Sequence, residues 1–79
     1  MFYVYVLRSL KDGKRYIGFT SNLERRLSEH HSGLVSSTKN RRPLELIHSE
    51  DFLIKHEAEA REKFFKSGQG RALLKQMNL

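Results

Sequence analysis

Residues Phe2 to Leu7 form an apolar segment with no wet side. In an extended chain, successive side chains point to opposite faces. Tyr3, Tyr5 and Leu7 therefore share one face and Phe2, Val4 and Val6 the other. A strand that is apolar on both faces must be covered on both, so it belongs in the middle of a sheet between two layers. That demand is severe in a chain of 79 residues. A chain of this length buries only about 60–65% of its extended surface on folding. One small sheet with helices packed on it satisfies the demand, and a single domain over residues 1–79 is expected.

The rest of the chain supplies the partners. Lys11-Asp12-Gly13-Lys14 is a turn signal, and Arg15 to Thr20 returns as a second strand, giving an antiparallel hairpin. Ser21 or Asn22 can cap a helix with Glu24 in its first turn, and Leu23, Leu27, His30 or His31, and Leu34 follow helical spacing up to a stop at Gly33. Ser36 to Pro43 reads as an exposed basic loop and Leu44 to His48 as a short third strand. A helix over Ile54 to Lys66 has Ile54, Ala58 and Phe65 on its apolar stripe. Gly68 and Gly70 end it, and Arg71 to Met77 forms a last short helix. The expected class is α/β (α+β): a three-stranded antiparallel sheet flanked by helices, in the order ββαβαα. Pairing the third strand with the first would make the first strand central.

Composition narrows the function classes. Hydrophobic residues make up 38% and charged residues 30%, which suits a globule rather than a disordered tail. No apolar run approaches the roughly 20 residues of a membrane span, and the apolar N-terminus lacks a basic leader and a cleavage site. There is no cysteine, which removes disulfide frameworks and thiolate metal sites and fits a cytoplasmic location. The net charge of +6 favours polyanions, although a basic surface also serves solubility.

Several side chains could carry chemistry. With a two- or four-residue hairpin loop, Tyr5 and Tyr16 point the same way, together with Gly18. Gly18 would leave an open patch of sheet that could admit a phosphate. The tyrosines are equally readable as ordinary strand aromatics. Arg26 and His30, four apart, stack on one side of the first helix. At the margin of the buried stripe, Arg26 can reach a phosphate while its stem packs. The alternatives are an ion pair with Glu29 and a core-edge histidine. Glu62 sits on the flank of the second helix, where a partly desolvated carboxylate needs a cation. Mg²⁺ with waters and phosphate would serve, as would a salt bridge to Lys66, Arg61 or Arg26. Zinc and Walker-type or Rossmann-type phosphate sites are excluded by the absent motifs.

Tyr3-Val4-Tyr5, Tyr16-Ile17-Gly18, Thr20, Leu23, Arg26, His30 and finally Glu62 form one ordered set. This set resembles the GIY-YIG nuclease domain. It most resembles the stand-alone, single-domain members of that family, which are similar to the N-terminal domain of an excinuclease. The resemblance covers nearly the whole chain. The first motif departs from the pattern, with Tyr3 in place of glycine and Val4 in its middle.

The resemblance implies an endonuclease that hydrolyses phosphodiester bonds in DNA with a single divalent metal, Mg²⁺ or Mn²⁺, held by Glu62. Tyr5 and Tyr16 match the motif tyrosines, one of which would orient or deprotonate the attacking water. Arg26 would neutralise charge on the scissile phosphate, and His30 matches a position that assists the water or the phosphate. Family nucleases usually carry an additional DNA-binding domain. Affinity here would come from Lys39, Arg41, Arg42, Lys63, Lys66, Arg71 and Lys75, or from a protein partner that targets the substrate. The DNA could be branched or single-stranded. A non-catalytic nucleic-acid-binding module on the same fold is the competing expectation.

Overall fold

The computed structural model describes all residues, 1–79. Three strands, β1 (Phe2–Ser9), β2 (Arg15–Thr20) and β3 (Leu44–Phe52), form one antiparallel sheet in the order β2-β1-β3. Three helices, α1 (Leu23–His31), α2 (Lys55–Lys66) and α3 (Gly68–Gln76), complete the order ββαβαα. The doubly apolar segment is thus the central strand, and Val4, Tyr5, Val6 and Leu7 are all essentially buried.

The two faces of β1 feed two cores. Val4 and Val6 pack with Ala58, Phe65 and Leu74 of α2 and α3. Tyr5 and Leu7 pack with Leu44 and, around it, Tyr16, Leu23 and Leu27, so α1 covers the opposite face. Burying a large apolar side chain contributes about 1.5–3 kcal/mol. These two small clusters are the main source of stability.

The hairpin register is set by a four-residue loop, Leu10 to Gly13, closed by Ser9 N–H donating to the Lys14 carbonyl at 2.9 Å. Gly13 has φ +73°, a conformation that costs glycine little. The buried Ser9 hydroxyl accepts from the Lys11 and Asp12 amides, each at 3.2 Å, and stiffens the turn. In this register Tyr5 lies opposite Gly18 and shares its face with Tyr16.

Five expectations need correction. β3 does not stop at His48: Ser49 to Phe52 continue it, because β1 offers pairing groups up to Phe2, opposite Phe52. Its register shifts between Val6 and Leu7, which skips Ile47. Leu34 is 75% exposed, since the turn at Gly33 (φ +80°) takes it off the α1 stripe. Ile54 is half exposed, because it caps α2 in an extended conformation instead of lying on the helix.

The α2–α3 break is Ser67, whose hydroxyl accepts from the Gly70 amide at 3.2 Å, while both glycines lie inside α3. Gly70 is there for contact: a Cβ would fall 2.0 Å from the Phe64 carbonyl oxygen. The loop after α1 is only partly exposed. Val35 and Thr38 are buried, and Lys39–Arg41 forms a single tight helical turn.

Arg61 fixes α2 against β3. It donates to both carboxylate oxygens of Glu50, at 2.8 and 3.2 Å, and lies over the Phe64 and Phe65 rings. A bidentate guanidinium holds geometry as well as charge. The orientation of α2, and with it that of Glu62 one residue on, follows from this clamp.

Candidate active site

On the α1 face of the sheet three rings meet. The Tyr5 and Tyr16 centroids are 6.5 Å apart, Tyr5 and His30 are 5.5 Å apart, and Tyr16 and His30 are 5.2 Å apart. The hairpin register brings the phenols together. Asn22 brings the histidine in by fixing where α1 starts: its side chain accepts from the Arg25 amide at 3.1 Å.

A buried hydrogen-bond chain runs through the centre. Tyr5 Oη is 2.8 Å from His30 Nε2, His30 Nδ1 is 2.8 Å from Thr38 Oγ1, and Thr38 faces the Val35 carbonyl at 3.5 Å. A carbonyl only accepts, so the chain has one consistent direction. Thr38 donates to Val35, His30 Nδ1–H donates to Thr38, and the Tyr5 hydroxyl donates to Nε2. This needs a neutral imidazole. Burial, followed by the nearby charge of Arg26, lowers the His30 pKa from 6.5 to about 4.

His30 is therefore corrected. It is fully buried with both nitrogens engaged, so its ring reaches no open surface and is held against the Tyr5 hydroxyl. Gly18 is corrected as well. It leaves no open patch, because the Tyr5 ring occupies that space. A Cβ at Gly18 would meet Tyr5 Cζ at 2.2 Å. Glycine is the residue that lets Tyr5 lie across β2 and reach His30.

Tyr5 is 1% exposed, and burial pushes its pKa up against the opposing pull of Arg26. A buried phenol that keeps its proton is a poor base. Tyr16, only partly buried, is the phenol with access to solvent. Arg26 stands beside the Tyr5 phenol, with Tyr16 nearby, and is about a third exposed. Its guanidinium bonds Glu29 at 3.1 Å, the ion pair expected for it. Glu62 lies within electrostatic reach of Tyr5. Of its possible partners it takes Lys66, at 3.2 Å, because Arg61 is committed to Glu50 and Arg26 to Glu29.

The cations expected to meet nucleic acid divide into two groups. Arg41 is spent on structure: it pairs with Asp12 at 3.2 Å and donates to the Arg15 carbonyl. Arg42 donates to the Lys39 and His31 carbonyls and packs over Gly33. Both pin the loop that carries Thr38. Arg42 nonetheless stays exposed, as do Lys39, Lys63, Lys66, Arg71 and Lys75. Sequence reasoning missed Thr38. It lies eight residues beyond His30 in a polar stretch, and no local pattern marks it as buried.

The description "GIY-YIG catalytic domain" fits residues 1–78 of this chain. The chain is 47% identical over 66 residues to a UPF0213 protein of Natronomonas pharaonis, covering 82% of this chain and 76% of that one. It is 42% identical over 67 residues to a UPF0213 protein of Clostridium perfringens, covering 84% and 71%. The solution NMR structure of a UPF0213 protein from Bacillus halodurans superposes with a TM-score of 0.59 at 34% identity, covering 98% of this chain and 85% of that one. The chain belongs to the GIY-YIG domain family, a nuclease-like fold. Within that family it is similar to the UPF0213 proteins. No helix is long and apolar enough to cross a membrane.

Proposed function

We propose that this chain is a metal-dependent, cytoplasmic endonuclease that hydrolyses phosphodiester bonds in DNA with little sequence preference. The observation that carries the reading is the meeting of Tyr5, Tyr16, Arg26 and His30 on one face, with Glu62 in electrostatic reach.

In this reading Tyr16 orients the attacking water, since it is the phenol that solvent can reach. Tyr5 does not touch water. Its ring and hydroxyl, locked by His30 and Thr38, form the wall against which Tyr16 and Arg26 are set. Arg26 neutralises charge that builds on the scissile phosphate, the kind of preorganised stabilisation that dominates such reactions.

Glu62 is suited to hold a divalent cation, Mg²⁺ or Mn²⁺. Its carboxylate is a quarter exposed, and its one partner, Lys66, is more than half exposed and free to swing away. One carboxylate with waters and phosphate is a set that Mg²⁺ accepts. The chemistry such an ion supplies is polarisation of the scissile phosphate and stabilisation of the leaving oxygen.

A second reading, a nucleic-acid-binding module without catalysis or one that needs a protein partner, is favoured by the closed Glu62–Lys66 pair. A nicking assay on supercoiled, single-stranded and branched DNA with Mg²⁺, Mn²⁺ or chelator decides between them. The enzyme reading expects metal-dependent nicking lost in Arg26→Ala and Glu62→Ala. Nicking that survives either change removes the proposed site, and wild-type binding without nicking favours the module.

A further inference from the structure

At the hairpin-turn end of the sheet, on the α2–α3 side, lies an open groove of about 720 Å³. Its lining includes five cations, Arg8, Lys14, Arg15, Lys66 and Arg71, and no carboxylate. The chain has 15 Lys and Arg residues, so this one groove gathers a third of them.

The arrangement works against the fold. Arg8 and Arg15 are direct cross-strand partners. Like charges placed opposite each other destabilise a sheet. Two of the five cations are occupied within the protein. Arg15 donates to the Leu79 main-chain oxygen and Lys66 pairs with Glu62. Arg71 only reaches the Lys66 carbonyl, at 3.4 Å, and no salt bridge involves Arg8, Lys14 or Arg71. Three cations thus share a concave surface without counter-charges. Tyr16, on the edge strand β2, and Lys66 line the groove and belong also to the candidate site, so the two meet at that edge of the sheet.

We propose that this groove is a track for the phosphodiester backbone of a single nucleic-acid strand that leads to Tyr16, an assignment that rests on the phosphodiesterase reading above. Its size lies within the roughly 300–1,000 Å³ of small-ligand clefts. A flexible single strand can fold its backbone into a concavity of that size, whereas a stiff duplex meets it only with its outer surface. A cationic groove that tracks a backbone and ends at a partly exposed aromatic on the sheet edge matches the pattern of single-strand channels.

Fluorescence anisotropy in chelator, so that no cleavage occurs, tests the assignment with labelled oligothymidylate and a blunt duplex of equal length. The variants are Arg8→Gln/Lys14→Gln/Arg71→Gln and a control with the same charge change outside the groove, Lys11→Gln/Arg25→Gln/Lys55→Gln. Circular dichroism checks that both fold. Each phosphate neutralised on a single strand contributes about 0.7 to the slope of log affinity against log salt. The groove variant is expected to lower that slope by about 2 on oligothymidylate, with the control losing less than about 0.7.

Equal losses in the two variants overturn the groove, because the charge then acts diffusely. A loss on the duplex as large as on the single strand overturns the single-strand assignment. Failure of the wild type to cleave with metal would remove the nuclease reading and leave the binding result standing.

Discussion

Replacing Gly18 with alanine separates two accounts of this residue by the sign of the effect. A glycine in the middle of an ordinary strand is a weakness, and Gly→Ala there gains roughly 0.5–1 kcal/mol. Here the new methyl would fall 2.2 Å from Tyr5 Cζ, 2.3 Å from its oxygen and 2.8 Å from Cε1. The ring is 1% exposed and cannot move outward without dragging its neighbours. Overpacking of this kind costs about 1–3 kcal/mol. Moving the phenol also breaks the 2.8 Å bond to His30 and leaves a buried nitrogen unpaired, about 1–3 kcal/mol more. After the strand gain is subtracted, a net loss of about 1–5 kcal/mol is expected. In a domain of this size that lowers Tm by roughly 4–40 °C. Thermal unfolding by circular dichroism measures it. In a Tyr5→Leu background the same substitution should cost less than about 1 kcal/mol, since the obstructing ring is gone. A neutral or stabilising Gly18→Ala in the wild-type background would refute the claim that Tyr5 fills the space above Gly18.

Three other outcomes are expected. Thr38→Val strands the His30 Nδ1–H and should cost about 1–3 kcal/mol in a denaturant melt, with no change meaning that the buried chain is not holding the imidazole. Folding keeps His30 neutral, with its pKa depressed from 6.5 to about 4. Its contribution is therefore intact above about pH 6.5 and is lost as pH falls toward about 4, by up to about 3 kcal/mol. His30→Gln should flatten stability across that window, and an unchanged acid limb would contradict the assignment. Lys66→Met frees the Glu62 carboxylate, and Mn²⁺ binding measured by calorimetry should tighten by at most about fivefold, since exposed ion pairs contribute about 0–1 kcal/mol. Binding that a further Glu62→Gln change leaves undiminished would place the metal elsewhere.

What the sequence showed and what it hid have physical causes. The central strand was legible because a segment apolar on both faces has only one place in a three-stranded sheet. The shared face of Tyr5 and Tyr16 was legible because strand parity is a matter of counting, provided the loop has four residues. Which elements pair is a periodic property, but how far a ring reaches is not. Gly18 therefore read as a gap, and the structure fills that gap with Tyr5. His30 read as a residue at the edge of a helix stripe, open either to a core role or to chemistry. Its burial depends on Thr38, supplied by a loop that Arg41 and Arg42 tie down. That these two arginines also bind Asp12 and main-chain carbonyls was hidden, because charge alone does not reveal what lies near. Arg8, Lys14 and Arg15 were overlooked for the opposite reason: they are scattered along the hairpin and converge only when α3 packs beside it.

The central claim is that Tyr16, Arg26 and Glu62 together cut phosphodiester bonds. Single-turnover cleavage of an end-labelled oligonucleotide in Mn²⁺, compared across the wild type, Tyr16→Phe, Arg26→Ala and Glu62→Ala, tests it most directly. The site predicts a fall of about 10²–10³-fold for Arg26→Ala, the scale for loss of one preorganised charge stabiliser. It also predicts comparable or larger losses for Glu62→Ala and Tyr16→Phe, with all three proteins still folded. Wild-type cleavage that these three substitutions leave unchanged would contradict it.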